Sequence, residues 1–332
     1  MRRVYLIAEV GMNHEGSLGQ AKMLAKAAKE SGADAVKFQM HISEEETLRS
    51  APVPAYFTGE SRYEYFNRTA FSMEEWRALR EYCRQLDIQF IVSPFSIEAV
   101  RRLMEIGIDA LKIPSGEVTN IPYLRYINRF TVPVILSSGM NTWDEMIEAY
   151  NILREENEVS VLQCTSEYPC KPEHLGLNVL EELCNVFPKA KIGFSDHSDN
   201  IYSSILAVCK GAEILERHFT LSKLMYGPDA YMSLEPKELF ELRKAVDYTC
   251  AALDGKVDKN DITAFETMRV TFQKSIVAAV DINIGDMITE EKLAYKKPGS
   301  GIPAKCYREL IGKKAIRNII QNTMIEKGDI EW

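Results

Sequence analysis

The sequence predicts a (β/α)8 barrel followed by a small second domain, and three observations predict it. Apolar strand-like runs alternate with helix-length amphipathic stretches eight times, which is the closure number of that barrel. Five of the runs pass directly into polar residues: Ile7-Ala-Glu9-Val-Gly-Met-Asn-His14-Glu15, Ala35-Val-Lys37-Phe-Gln39, Leu111-Lys112-Ile-Pro-Ser115-Gly-Glu117, Gly193-Phe-Ser195-Asp-His197 and Ile214-Leu-Glu216-Arg-His218. Functional groups at strand ends, repeated around a chain, are how this barrel builds a site at its C-terminal rim, so an enzyme is favoured over a binding module. The pattern then changes after Gly255.

In chain order, strands are expected near 4–8, 35–39, 89–93, 110–113, 133–137, 160–164, 191–194 and 213–217. Ser17 to Ser31 carries Leu18, Ala21, Leu24, Ala25 and Ala28 at helical spacing and stops at Ser31-Gly32. Ser72-Met-Glu-Glu75 and Thr142-Trp-Asp-Glu145 each place a hydroxyl three residues before a glutamate, a capping-box start. Glu235 to Leu253 is a final barrel helix entered through Pro236. Strict alternation implies parallel pairing with right-handed crossovers.

Residues 42–71 interrupt this order with Pro52, Pro54, Tyr56, Phe57, Tyr63, Tyr65 and Phe66. A loop so long after strand two covers substrate or packs on a neighbouring subunit. The barrel domain is placed at 1–254, a polar linker at 255–270 and the small domain at 271–332. In the latter, Ser275–Ala279 reads as a strand, Asp281–Asp286 as a turn, Thr289–Leu293 as a short capped helix and Lys296–Pro303 as a rigid Gly/Pro loop. About sixty residues with so little core are marginal alone, so this domain is expected to dock on something.

The 332 residues are 46% hydrophobic, ordinary for a soluble protein with a sizeable core. A formal charge of −8 without a Lys/Arg block argues against a nucleic-acid surface. No apolar run approaches the ~20 residues that span a bilayer, and the N-terminal apolar stretch is too short for a signal peptide. Seven scattered cysteines without a CxxC fit reduced thiols in a cytoplasmic enzyme. Cys164 and Cys209 are expected in the core.

His197 and His218 close strands seven and eight, where adjacent strand ends bring side chains close enough to share a cation. Two imidazoles favour a borderline transition metal over Mg2+ or Ca2+; the alternative is a pair of satisfied rim residues. Asp196 and Glu216 are candidates to orient the imidazoles. Lys37 and Lys112 stand in otherwise apolar strands, where an ammonium must be paired. With Ser115, Ser137 and Ser195 they form an anion site; otherwise they are buried partners of Glu9 or Glu117. Lys112 also admits a Schiff-base aldolase. Glu117 is a general acid or base, or a helix N-terminal carboxylate. Residues 163–169 offer hydroxyls to a polar ligand, and Gly227-Pro-Asp229 adds a carboxylate.

Across nearly its whole length the chain resembles the sialic acid synthase family. The resemblance rests on Glu9-Val-Gly-Met-Asn-His14-Glu-Gly, Val36-Lys-Phe-Gln39, Ser93-Pro-Phe95, Lys112-Ile-Pro-Ser-Gly-Glu117, Ser137-Ser-Gly-Met140, Cys164-Thr-Ser-Glu-Tyr168-Pro, Ser195-Asp-His197 and Glu216-Arg-His218-Phe-Thr220. The C-terminal part is similar to that family's antifreeze-like (SAF) domain. The resemblance implies condensation of phosphoenolpyruvate with a 2-acetamido hexose, giving a nonulosonic acid and phosphate. It implies that His197 and His218 hold Mn2+, with Mg2+ or Co2+ as alternatives. Lys37, Ser93, Lys112, Ser115, Ser137, Ser166 and Ser195 would take phosphoenolpyruvate. Gln39, Phe95, Tyr168, Asp229 and Lys297 would face the sugar, and Glu117 would manage protons. It further implies a domain-swapped homodimer in which the small domain covers the partner's barrel.

Two departures stand out. Lys297 occupies the place before Pro298-Gly299 where the family usually has an Arg, which exchanges a planar fork for a point charge. Thr165-Ser166 replaces the Asn-containing versions of that loop. The Pro114–Glu117 and Leu221–Asp229 segments look closer to N-acetylneuraminate and legionaminate synthases than to pseudaminate synthases. Beside the synthase stand two other readings, a lysine Schiff-base aldolase and a non-catalytic sugar-binding paralogue.

Overall fold

The computed structural model describes residues 3–52 and 60–332. Eight parallel strands close into a barrel in sequence order: β1 (Tyr5–Gly11), β2 (Ala35–Met40), β3 (Gln89–Pro94), β4 (Ala110–Ile113), β5 (Val134–Ser137), β6 (Val159–Cys164), β7 (Ile192–Asp196) and β8 (Ile214–His218). Closure is made by β8 pairing with β1, Tyr5 against Ile214 through Glu9 against His218. The helix starts follow from their caps. Ser17 accepts from Gln20 N, and Ser72 and Thr142 form full capping boxes with Glu75 and Glu145; each such cap contributes about 1 kcal/mol.

Between strands and helices lies the main apolar cluster, with Leu6, Phe38, Phe90, Leu111, Leu136, Phe194 and Leu215 facing outward into it. Side chains alternate along each strand, so the barrel interior is filled by the other set. Its lower layer is Ile7, Ala35, Ile91, Ala110, Ile135, Leu162 and Ile214. Gly193 completes that ring because there is no room for more. A Cβ there would stand 2.5 Å from Ile214 O and 2.5 Å from Leu162 Cδ2.

Outward alternation also corrects two expectations. Asp196 and Arg217 are buried against each other on the helix side. Asp196 accepts from Ser203 Oγ, Ser204 Oγ and Ser198 N, and Arg217 reaches Ser198 O at 2.7 Å. Asp196 therefore ties β7 and β8 to the helix Tyr202–Cys209 and does not orient an imidazole. Cys209, at the end of that helix, is exposed rather than core.

The insertion after β2 holds a helical turn, Ser43–Glu46, and a helix, Arg62–Thr69. Tyr65 and Phe66 bury against Met12, and Arg68 bonds to Glu60 on both sides of its fork and to Glu15 beyond β1 at 3.1 Å. Pro54, Tyr56 and Phe57 lie outside the described residues.

The chain divides into two compact units, Met1–Gly255 and Lys256–Trp332. In the second, β9 (Ser275–Ala278) pairs antiparallel with β10 (Leu293–Lys296) around Ile276, Ile282, Ile288, Leu310, Ile319, Ile325 and Ile330. The expected helix at 289–293 is only a 3-10 turn, Glu290–Lys292, because Leu293 already extends into β10 toward Ala278. The stretch read as linker carries a turn at Thr263–Phe265 and the start of a helix, Glu266–Phe272.

Candidate active site

Two residues above the apolar layer, each strand presents its next inward side chain. These are Glu9, Lys37, Ser93, Lys112, Ser137, Cys164, Ser195 and Glu216, and all eight line one cavity of about 390 Å3. One further step up come Gln39, Phe95, Pro114, Ser166, His197 and His218, again on the cavity wall. The expected residues Ser115, Tyr168 and Asp229 join them from the loops.

The floor is a charge-matched polar layer. Lys37 Nζ lies 2.8 Å from Glu9 Oε2 and 3.8 Å from Glu216 Oε1, and donates to Ser93 Oγ at 3.2 Å. Lys112 Nζ donates to Ser137 Oγ at 2.6 Å and to Glu216 Oε1 at 3.3 Å. Ser195 Oγ donates to the same Glu216 oxygen at 3.0 Å. Burial pulls the Lys37 ammonium down, but Glu216 and Glu9 outweigh it and hold it above the ordinary lysine value. For Glu216, burial is likewise outweighed by Lys112 and Lys37, which hold the carboxyl low. Glu216 is thus the counter-ion of both lysines. Its hydrogen bonds go to Lys112 and Ser195 and not to an imidazole, while its charge still helps to raise His197. Lys112 is paired by Glu216, where Glu117 is one expected partner.

His197 and His218 face each other with ring centroids 5.4 Å apart. His197 Nδ1 lies 2.8 Å from Thr165 O, a contact that requires a proton on Nδ1; burial pulls the ring down, but Cys164, Thr165 and Glu216 outweigh it and hold it above the ordinary histidine value. His218 Nδ1 is buried without a hydrogen-bond partner among the described residues and stands 3.7 Å from Asp229 Oδ2. Burial, then His197, hold His218 neutral, well below the ordinary histidine value. Two facing imidazole rings are the donor type that suits a transition metal, which would bind as His197 gives up its second proton. Among the described residues, no group of three or more His, Cys, Asp or Glu is arranged to hold one. Tyr168 stacks on His197 at 4.1 Å and accepts at its carbonyl from Tyr231 Oη. Asp229 is pushed up to about 6 by burial and by Glu9.

Gly139 opens a cradle between two hydroxyls. A Cβ there would stand 2.7 Å from Ser166 Oγ and 2.8 Å from Ser115 Oγ. Glu117 is half-buried and accepts from Asn120 Nδ2 at 2.8 Å, just outside the cavity lining; burial raises its carboxyl, with a further push from Glu46. Lys297 belongs to the second unit, where its ammonium sits 5.0 Å from the Phe272 ring. His14 is a core residue. It stacks on Phe71 at 4.4 Å and accepts from Gly16 N at 3.1 Å.

The cavity also recruits His41, Arg62 and Tyr231, which the sequence reading missed, and Phe66, which it named in the 42–71 insertion expected to cover substrate or a neighbouring subunit. His41 was accessible to the reading, because it is the next inward position after Gln39 on β2. Arg62 and Phe66 come from the insertion, which carries no periodicity to count.

The family model "NeuB family" matches residues 24–258, and the model "SAF domain" matches residues 273–331. The chain belongs to the NeuB family. This NeuB-family protein is therefore an enzyme of the phosphoenolpyruvate-dependent nonulosonate-synthase type. It is 35% identical to the N,N'-diacetyllegionaminic acid synthase of Campylobacter jejuni over 98% of this chain and 100% of that one. It is 36% identical to the human N-acetylneuraminate-9-phosphate synthase, over 97% of this chain and 91% of that one. Among solved structures, the N-acetylneuraminic acid synthetase of Leptospira borgpetersenii, crystallised with citrate, superimposes with a TM-score of 0.70. The two share 31% identity, with 80% of this chain and 91% of that one covered. Among the described residues, no helix of this NeuB-family chain is long and apolar enough to cross a membrane.

Proposed function

We propose that this enzyme condenses phosphoenolpyruvate with the open-chain aldehyde of a 2-acetamido hexose, releasing phosphate and forming a nonulosonic acid. The observation that carries the reading is the stacking of two tiers: a lysine-bearing polar floor, and paired imidazoles one strand step above it. Lys37 and Lys112, steadied by Glu9 and Glu216, hold the phosphate and carboxylate of phosphoenolpyruvate. Ser93, Ser115, Ser137, Ser166 and Ser195 supply hydroxyls to the same oxygens. Gln39, Phe95, Tyr168 and Asp229 meet the sugar.

His197 and His218 would hold Mn2+ or a similar divalent ion, which supplies Lewis acidity to the aldehyde oxygen. The enol carbon forms the new C–C bond, water adds at C2, and phosphate departs with cleavage of its C–O bond. Glu117, its carboxyl raised toward a useful range, passes the proton that water loses to the new hydroxyl. The lysines orient and do not attack: Lys112 is engaged by Ser137 and Glu216, which is unlike the free amine a Schiff-base aldolase needs.

The exposed apolar run Val257, Ile262, Phe265, Met268, Val270 and Phe272 supports a homodimer in which this arm is covered. We place the enzyme in the cytoplasm, where its free thiols stay reduced. The test is phosphate release from phosphoenolpyruvate with Mn2+ and a panel of 2-acetamido and 2,4-diacetamido hexoses. Sugar-dependent release that is lost in His218→Ala supports the reading. Absence of release with every sugar would return weight to a sugar-binding paralogue.

A further inference from the structure

His41 sits on the β2 end of the cavity, stacked between Phe66 at 3.6 Å and Phe95 at 4.1 Å. Its side chain is 2% exposed and that of Glu46 6%, so neither has water as an alternative partner. A continuous line of contacts runs through it. Gln39 Nε2 is 2.7 Å from Glu9 Oε1, Gln39 Oε1 is 3.0 Å from His41 Nε2, and His41 Nδ1 is 2.7 Å from Glu46 Oε1.

Donors and acceptors along this line do not match in the ordinary ionisation state. Glu9 is held by the Lys37 ammonium at 2.8 Å and accepts, so the Gln39 amide points its NH2 at Glu9 and its oxygen at His41. His41 Nε2 must then carry a proton. A neutral ring protonated on Nε2 offers only a lone pair from Nδ1 to Glu46. If Glu46 is a carboxylate, two buried acceptors face each other at hydrogen-bond distance, an arrangement that costs the desolvation of both. Moving the ring proton to Nδ1 relieves that contact and creates the same clash with Gln39. One additional proton, between His41 Nδ1 and Glu46, satisfies all three contacts.

We propose that His41 and Glu46 are positioning residues that share one proton and use it to fix the Gln39 amide at the acceptor end of the cavity. The proposal rests on the synthase reading for what that amide then contacts. Gln39 Nε2, Asp229 Oδ2 and Glu9 Oε1 all converge within 3.4 Å of the place a Cβ would take on Gly11, so the orientation of Gln39 decides whether a donor or an acceptor meets the sugar there. Burial holds the His41 ring below the ordinary histidine value. The charged and titratable groups facing the pair are Arg62 and His14, Glu44 and Arg102 around a small cavity beside His41, and Glu117 across from Glu46.

The proton is lost as pH rises, and the amide then loses its lock. The acceptor-sugar KM is therefore expected to climb about tenfold as pH rises from acid toward neutral, below the ordinary histidine range, the worth of one buried hydrogen bond, while the phosphoenolpyruvate KM stays level. Glu46→Gln supplies an amide donor to His41 Nδ1 and needs no extra proton, so its acceptor KM should be flat across the same range. Glu46→Ala should have a raised acceptor KM throughout. An unchanged pH course in Glu46→Gln overturns the proposal. Nitrogen NMR of the 15N-histidine-labelled full chain, with His41 assigned by its loss in His41→Gln, reads the ring directly and needs no turnover. Nε2 protonated on the acid side of that change is expected; a ring protonated there on Nδ1 alone overturns the proposal even if the enzyme proves active. An Nε2-protonated ring in a protein that releases no phosphate would sink the synthase reading instead.

Discussion

Glu216 Oε1 lies 3.3 Å from the Lys112 ammonium and 3.8 Å from that of Lys37, so a single carboxylate oxygen serves two lysines at the centre of the barrel. Glu216→Gln leaves two buried ammonium groups with Glu9 as their remaining carboxylate. Breaking a buried pair from one side costs about 3–5 kcal/mol. Thermal unfolding should show a large loss of stability without ligand, and phosphoenolpyruvate should restore more of it in the variant than in the wild type. Equal ligand shifts in the two proteins would mean that the lysines do not receive the anion.

The two glycines that bracket the site separate packing from binding. At Gly193 an added methyl meets backbone and core atoms at 2.5 Å, so Gly193→Ala should destabilise by about 1–3 kcal/mol or more, read as a fall in the unfolding midpoint. At Gly139 the methyl meets two rotatable hydroxyls, Ser166 and Ser115. Gly139→Ala should fold nearly as well as the wild type while the KM for phosphoenolpyruvate rises at least about tenfold.

Removal of one imidazole should weaken metal uptake. Titration calorimetry with Mn2+ is expected to give binding to the wild type and a loss of more than about tenfold in affinity for His218→Ala or His197→Ala. A change in Thr165, whose contact with His197 is through its backbone carbonyl, should leave affinity in place.

Stability should fall with acidification through His14. Its folded value is lowered to about 3 by burial, with His41 adding to the effect, against an ordinary value near 6.5 in the unfolded chain. The unfolded chain therefore binds the proton first, and the stabilisation, complete above about pH 6.5, declines as pH falls toward 3. Between pH 7 and pH 5 the loss is about 2 kcal/mol. Urea unfolding of His14→Phe should show a shallower pH slope in that window; an unchanged slope would assign it to other groups.

Strand-end chemistry was legible in the sequence because the barrel repeats one rule eight times. Lys37, Lys112, His197 and His218 could be placed from apolar runs alone. Partners were harder. Glu216 was read toward the imidazoles because it is close to His218 in sequence, whereas alternation and the curvature of the barrel point it across the interior at the lysines. Asp196 was misplaced for the complementary reason, since an odd position on β7 faces the helices. Arg62 and Phe66 reach the cavity from the insertion, whose path depends on tertiary contacts such as Tyr65 and Phe66 against Met12. The second unit was harder still, because β10 is four residues long with half-exposed Ala294 and Tyr295.

The one-step offset between the apolar ring and the polar ring has a consequence for how this chain can change. Every residue of the floor is specified by an even count from a core residue on its own strand. Substitutions at the rim can alter what the enzyme accepts while the scaffold beneath stays intact. Insertion or loss of one residue within β8 would turn Arg217 inward and Glu216 outward together, exchanging a counter-ion for a second cation. New specificities are thus open to this barrel through its side chains and its loops, and closed to it through the length of its strands.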